Sequence, residues 1–440
     1  MKITLIRPDM GIRKKIWGIF SDNVEPLELA TLAGLTPKED EITLFDDRIE
    51  EIDYDHPADL VGITVIAHTA RRAYQIAGQF RQRGVPVVMG GAHPSLLPQE
   101  ASRYADAVVI GGAEDTWPQV LKDVKAHSLK PLYRASDLSD LKGLKPRRDI
   151  YEKGRYSPVS IVEFSRGCPH TCEFCSGAAF FQGKVRHRPV QDVIEEISSL
   201  SRSQFFFFSD DNLYAHKEAS IELLKALIPL KRKWMAQIHL DFCKDETFMK
   251  LLAESGCIGV FIGFESLSSK NLKQMKKGGS MIQRYREGLA RIRTYGFCIY
   301  GAFLFGYDED REETFEKTLR FAVQERLFAA VFTPLQPFPG TPLYERLKST
   351  GRLLYDSWWN DPDFHYHGFA FRPRYLHPES FDLCRKIQCS FYSYPSILRR
   401  ALDSKTNART MSSLLFFLAY NSIYRRLLKR NPWSETWQSW

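Results

Sequence analysis

Residues 164–177 read FSRGCPHTCEFCSG and set three cysteines, Cys168, Cys172 and Cys175, in a C-x3-C-x2-C run. Three thiolates on one short loop can hold three irons of a four-iron cluster, which leaves the fourth iron open to a ligand from outside the protein. An open iron points to catalysis rather than electron storage. Structural zinc is the competing reading, but it needs four ligands, commonly two C-x2-C pairs. His170 inside the loop is the candidate fourth ligand; no second pair follows nearby, and Cys243, Cys257 and Cys298 stand alone. The chain opens on MKITLIRPD, which reads as a strand and a turn, so no secretory leader and no disulfide framework are expected.

Working outward from the loop, a strand (VSIVEFSRG) leads into it and a helix (from Arg188, RPVQDVIEEISSL) leaves it. The runs QFFFFSDDN, MAQIHLDF, CIGVFIGFES, GFCIYGAFLFGYDED and AAVFTP read as five more strands, with helical stretches between them. Six such units over residues 157–345 suggest an open, partial (βα)6 barrel, and barrels generally carry their active groups at the strand C-termini. The second strand ends in Asp210, Asp211 and Asn212, and the fourth in Glu265. The aspartates read equally well as helix N-caps, and Glu265 equally well as half of an ion pair.

Residues 1–130 alternate short Val- and Ile-rich strands (KITLIRP, EITLFDD, LVGITVIA, VPVVMGG, DAVVIGG) with helices such as TARRAYQIAGQFRQRG. This α/β pattern is a Rossmann-like parallel sheet covered on both faces, with ligands at the strand carboxyl ends, where Gly90, Gly91, Gly111 and Gly112 fall. No G-x-G-x-x-G follows the first strand, which excludes the usual nicotinamide site. His68 and His93, lone histidines near strand ends, read as hydrogen-bonded loop residues rather than metal ligands. Residues 131–156 are polar, with scattered Pro and Gly, and read as a linker.

The cysteine loop resembles the signature of the radical S-adenosylmethionine (SAM) superfamily. GGAHPSLLPQEA followed by ADAVVIGGAEDTW resembles the cobalamin (B12)-binding domain that precedes many radical SAM barrels. With FPGTPLYERL, the whole resembles the branch that contains hopanoid methylases and bacteriochlorophyll-pathway enzymes. The resemblance implies a [4Fe-4S] cluster on Cys168, Cys172 and Cys175, with SAM on the open iron and cleaved reductively to a 5′-deoxyadenosyl radical. It implies that Asp210 or Asp211 receives the SAM amino group, Glu265 its ribose and Lys276 its carboxylate, and that Gly306 lets the backbone pass close to adenine. Thr64, Gly90 and Gly91 would approach the cobalamin nucleotide tail, with His93 and Pro94 shaping the next loop. The D-x-H-x-x-G motif of other cobalamin proteins is absent: Asp53-Tyr-Asp-His56 has the wrong spacing and no following glycine. Cobalamin is therefore expected without a histidine ligand from this domain.

The net charge of +8 is uneven: residues 345–440 hold 15 Lys and Arg against 8 Asp and Glu. That placement argues against a nucleic-acid groove along the whole protein. Residues 346–440 read as mainly helical, apart from an aromatic loop with Trp358, Trp359, His365 and His367 that suits either a substrate pocket or a packed domain seam. The last helix, SSLLFFLAYNSIYRRLLKR, is amphipathic and basic and is followed by Trp433, Trp437 and Trp440. It suits either docking on the barrel or peripheral membrane contact. No apolar run is long enough to span a bilayer, and a thiolate cluster needs a reducing compartment, so a cytoplasmic location is expected.

The resemblance implies cobalamin-dependent methyl transfer to an unactivated carbon of an apolar substrate (a lipid, polycycle or tetrapyrrole), with methylcobalamin as methyl donor and a reductant such as flavodoxin or ferredoxin. The alternatives are a radical cyclase, oxidase or C–C bond-forming enzyme with cobalamin in another role or absent, and a non-catalytic iron–sulfur or cobalamin sensor or electron carrier.

Overall fold

The computed structural model describes residues 1–10, 24–136, 141–201, 205–277, 282–365 and 368–430; His367, Trp433, Trp437 and Trp440 lie outside them. The first sheet holds β1 (Lys2–Arg7), β2 (Glu41–Asp46), β3 (Leu60–Thr64), β4 (Val87–Gly90), β5 (Ala107–Ile110) and β6 (Leu132–Arg134). Its order is β2-β1-β3-β4-β5-β6, and every pairing is parallel. The order reverses between β1 and β3, where open α/β sheets place their ligand crevice. The four inner strands, β1, β3, β4 and β5, are short and largely buried on both faces, as helix-covered parallel sheets require. Helix Ala70–Gln82 packs through Ala73, Ile76, Ala77 and Phe80.

The second sheet is built from β7 (Val159–Val162), β10 (Phe205–Phe208), β11 (Trp234–Gln237), β12 (Cys257–Glu265), β13 (Cys298–Phe305) and β14 (Ala329–Pro334). Between β7 and β10 lies a small antiparallel hairpin, β8 (Ser165–Arg166) with β9 (Arg186–His187). The order β14-β13-β12-β11-β10-β7 is sequential and parallel. Each unit therefore adds the next strand, and among the described residues β7 and β14 do not pair, so the barrel is open on one side. Its helix-covered face is aromatic: Phe264, Phe303 and Phe332 stack in series at 5.4 and 5.5 Å between ring centroids, and they meet Phe321 and Phe391 of the covering helices, a large apolar payload between sheet and helices.

Two segments are more structured than their composition indicates. Within the connector, Leu132–Arg134 forms β6, Leu141 and Leu144 are buried, and Arg148 reaches both Glu25 and Glu196 at 2.7 Å. The aromatic loop is a seam. Trp358, Trp359 and Phe364 join the core that holds Phe80 and Tyr74 of the first domain. The Trp359 indole N–H donates to Glu100 at 2.9 Å. The last helix, Met411–Arg430, docks on the barrel through Phe417, Asn421 and Tyr424, all buried.

Candidate active site

The cysteine loop hangs from the C-terminal end of β7 between the strands of the β8–β9 hairpin. Its thiols are half-exposed, whereas Cys243, Cys257, Cys298 and Cys384 are buried. Burial still pushes the loop thiols up, Cys172 to about 11, so iron binds them by displacing protons. The Cys175 sulfur accepts the Ala178 N–H at 3.4 Å, at the start of helix Ser176–Phe181. A four-ligand zinc site brings its sulfurs to roughly 4 Å of one another. Among the described residues, the one group of three donors within 4.8 Å is His170, His239 and Asp241, not the three thiols. The wider spread of the cysteines fits a cluster rather than a single ion. Asp241 is also held by Lys244 at 2.8 Å and by Arg284, so a cation there would compete with two fixed bases.

Asp210 and Asp211 part company. Asp210 is fully buried and accepts from the Phe164 N–H, the Ser165 N–H and the Ser165 hydroxyl at 3.2, 2.5 and 2.5 Å. Burial drives its carboxyl up to about 7 in spite of these bonds. It braces the strand that carries the cysteines and has little left to offer SAM. Asp211 accepts the Gly167 N–H at 2.8 Å, and its second oxygen lies beside Gly177, where an added Cβ would meet it at 3.0 Å. It is the one of the pair that faces the cluster loop.

Glu265 ends β12 at a register shift against β13, with φ of +64°, a conformation uncommon for a side-chain-bearing residue and frequent at functional sites. Its carboxylate pairs with Lys277 at 2.5 Å. Gly263 makes room for this pair: a Cβ there would press on Glu265 and on the Lys277 ammonium. Lys276 is exposed and turns the chain at φ of +57°. The basic group at this strand end is therefore Lys277, not Lys276, because the left-handed turn sends the second lysine back toward the barrel. At Gly306, φ is +118° and a Cβ would meet the Phe369 ring at 2.7 Å. The close approach at this glycine is made by the aromatic seam.

A cavity of about 400 Å³ opens between the two sheets. Thr64, Gly90, Gly91, Gly111 and Gly112 line it from the first domain, and Glu163, Arg166, Phe180, Phe181 and Arg186 from the barrel. Gly91 has φ of +108° and no room for a side chain, since a Cβ would lie 2.7 Å from the Val65 carbonyl oxygen. Gly90 differs: a Cβ there makes only an ordinary 3.6 Å contact with Val109, so a larger side chain would fill the cavity rather than break the fold. His93 and Pro94 lie behind this wall. His93 is buried, bonded to the Tyr74 hydroxyl at 2.9 Å and packed edge-on against Trp359, so it anchors the seam.

Arg166 joins the two domains. It contacts Glu114 of the first domain at 2.5 Å and Glu163 of the barrel at 2.8 Å. Burial alone would lower the Arg166 pKa, but the two carboxylates outweigh it and hold the pKa raised. Among the described residues, the second oxygen of Glu114 is buried without a hydrogen-bond partner, which leaves an acceptor on the cavity wall. Motif reading passes over Glu114, Glu163 and Arg166. The available signal was two charges, Glu163 and Arg166, inside an otherwise apolar strand, which burial can tolerate only when paired. A cavity walled by glycine backbone, with a buried acceptor and no histidine among its described lining residues, fits the amide-rimmed cobalamin ring.

The radical SAM superfamily matches residues 162–322 and the B12 binding domain residues 26–121. The chain is 31% identical, over 87% of its length and 86% of the relative's, to the bacteriochlorophyllide d C-12(1)-methyltransferase of Chlorobaculum tepidum. It belongs to the cobalamin-binding radical SAM methyltransferases. The hopanoid C-2 methylase of Rhodopseudomonas palustris is 25% identical over 75% of this chain and 66% of that protein. The structure of the radical SAM methyltransferase TsrM from Kitasatospora setae shares the fold, with a TM-score of 0.67 at 15% identity over 98% of each chain. The family's cofactors are the [4Fe-4S] cluster, SAM and cobalamin. The chain is a radical SAM enzyme, which sets aside the sensor and electron-carrier alternatives.

Proposed function

We propose that this enzyme transfers a methyl group from SAM to an unactivated carbon of a chlorin-type tetrapyrrole. It would work in the cytoplasm in peripheral contact with a membrane, with a flavodoxin- or ferredoxin-class reductant. The observation that carries the substrate class is the 31% identity across nearly the full length of a bacteriochlorophyllide methyltransferase. When bound, the cluster with SAM supplies a radical that removes a substrate hydrogen atom, and cobalamin supplies the methyl group. Cys168, Cys172 and Cys175 would hold the cluster, and Asp210 keeps their strand in place. Asp211 and Glu265 would orient SAM, with Lys277 as the neighbouring cation. Thr64, Gly90, Gly91, Gly111 and Gly112 would leave space for cobalamin, and Glu114 offers it an acceptor. The hydrogen leaves as an atom, so the reaction asks no side chain for a proton, and no paired acid and base are needed in the cavity.

The test is a competition. The anaerobically reconstituted enzyme, given methyl-labelled SAM, a chemical reductant, bacteriochlorophyllide d and a hopanoid polycycle, is expected to label the chlorin. Label in the polycycle alone, or SAM consumption with label in neither, would overturn the assignment.

A further inference from the structure

The foot of the barrel, opposite the cluster, carries a surface that the methyl-transfer reaction does not use. Helix Tyr394–Ala401 and helix Met411–Arg430 lie across the N-terminal ends of β13 and β14. Arg400, fully buried, pins them there by donating to the Leu327 and Phe328 carbonyls at 3.0 Å and to the Asn421 side chain at 2.9 Å. Phe416 stacks on Phe328 at 5.4 Å. With the inner faces so committed, the outer faces remain apolar. Tyr394, Leu398 and Leu402 recur at every fourth position, with exposures of 60, 63 and 74%. Met411 and Leu415 begin the same spacing on the second helix at 71 and 60%. Side chains four apart share one helix face, so each helix presents a continuous apolar stripe.

The charge around these stripes has one sign. Residues 394–430 contain eight Lys and Arg and a single acid, Asp403. Asp403 is buried and bonded to the Thr406 hydroxyl at 2.8 Å. Arg399, Lys405, Arg409, Arg426 and Lys429 are exposed. Glu325, on the barrel beside them, is held by Arg286 and Arg293 at 3.1 and 3.8 Å. Among the described residues the surface is thus apolar along two stripes and basic at its rim, with no exposed acid from the segment itself.

We infer that this two-helix face is a docking surface for an anionic lipid bilayer. Apolar side chains enter the headgroup boundary while basic ones meet lipid phosphates, the combination by which amphipathic surfaces bind membranes reversibly. A second copy of the chain is disfavoured as occupant, because two such faces would bring like charges together. Nucleic acid would leave the leucines exposed to water. The inference deepens the peripheral location proposed above and is independent of the methyl-transfer reading. It orients the molecule with the foot of the barrel on the lipid and the cluster end turned away.

The experiment is vesicle flotation of the full-length, cluster-loaded protein, with SAM cleavage measured on the same samples so that loss of binding is distinguished from loss of enzyme. Vesicles are phosphatidylcholine alone or with about 30% phosphatidylglycerol, at about 0.1 M and about 0.5 M salt, which shortens the screening length to a few ångströms. Wild type is expected to float with the anionic vesicles and to be released by salt. A Leu398→Ser, Leu402→Ser, Leu415→Ser protein and an Arg399→Gln, Lys405→Gln protein are each expected to bind about tenfold less while cleaving SAM at the wild-type rate. The inference is overturned if wild type stays with the phosphatidylcholine-only pattern on anionic vesicles, or if the leucine variant floats like wild type. It is equally overturned if light scattering shows a dimer that the leucine variant dissociates, since a second copy would then cover the face.

Discussion

The two strand-end rims that face each other across the cavity are built on opposite principles. On the first sheet the rim is glycine: an added Cβ at Gly91, Gly111 or Gly112 would press on Val65, Ala135 or Glu114, so backbone forms that wall, and only at Gly90 of these four would a side chain enter the cavity. On the barrel the rim is wired: Asp210 holds the cysteine strand, Asp211 holds Gly167, and Glu265 is locked to Lys277. A bulky, preformed ligand would meet backbone on the first rim, whereas a cluster and a small polar ligand would meet fixed charges on the second. Arg166 belongs to both, through Glu114 on one side and Glu163 on the other.

This contrast can be broken from either side. The largest effect is expected from Cys172→Ala, which should reduce SAM cleavage to background while retaining cobalamin in the anaerobically purified protein. Joint loss of both would show that the rims do not assemble separately. Arg166→Ala strands the buried Glu114 carboxylate and the half-buried Glu163 carboxylate and is expected to cost about 3 kcal/mol in denaturant unfolding. It should impair cluster content and cobalamin retention together, and an effect on one alone would deny Arg166 its bridging role. Asp210→Asn keeps one acceptor oxygen but turns an NH2 donor toward one of the two backbone N–H groups, which bond to separate carboxylate oxygens. Roughly 1–3 kcal/mol of stability and part of the cluster iron should be lost, whereas Asp211→Asn should leave stability nearly unchanged and weaken SAM binding in calorimetry. The smallest effect is expected at the seam, where Trp359→Phe removes one hydrogen bond to Glu100. A cost of about 1 kcal/mol should appear as a lower Tm with SAM cleavage intact.

Most of the architecture was legible because its signals are local. Short apolar strands alternating with amphipathic helices mark both sheets, and the cysteine spacing marks the loop. What was not legible depends on contacts distant in sequence. β6 is three residues long, follows Pro131 and has no apolar pattern, so only the edge of β5 specifies it. Trp358 and Trp359 carry no mark that distinguishes a pocket from a seam, and the partner that decides, Glu100, lies in another domain. Asp210 and Asp211 are chemically identical neighbours, separated only by which way the strand end points each carboxylate. Lys276 and Lys277 are separated in the same way by a left-handed turn that no composition reveals. Glu114, Glu163 and Arg166 are visible only as a triad in space.

The proposed methyl transfer requires cobalamin on the glycine rim and the cluster on the charged one. Gly90→Leu tests this most directly, because the leucine fits the fold and fills the cavity. Wild-type and Gly90→Leu proteins, both loaded with iron and sulfide, are given methyl-labelled SAM, reductant, cobalamin and bacteriochlorophyllide d. The expected result is labelled chlorin from wild type, and from the variant continued SAM cleavage with neither bound cobalamin nor labelled product. Labelled chlorin from the variant in the absence of bound cobalamin would contradict the account.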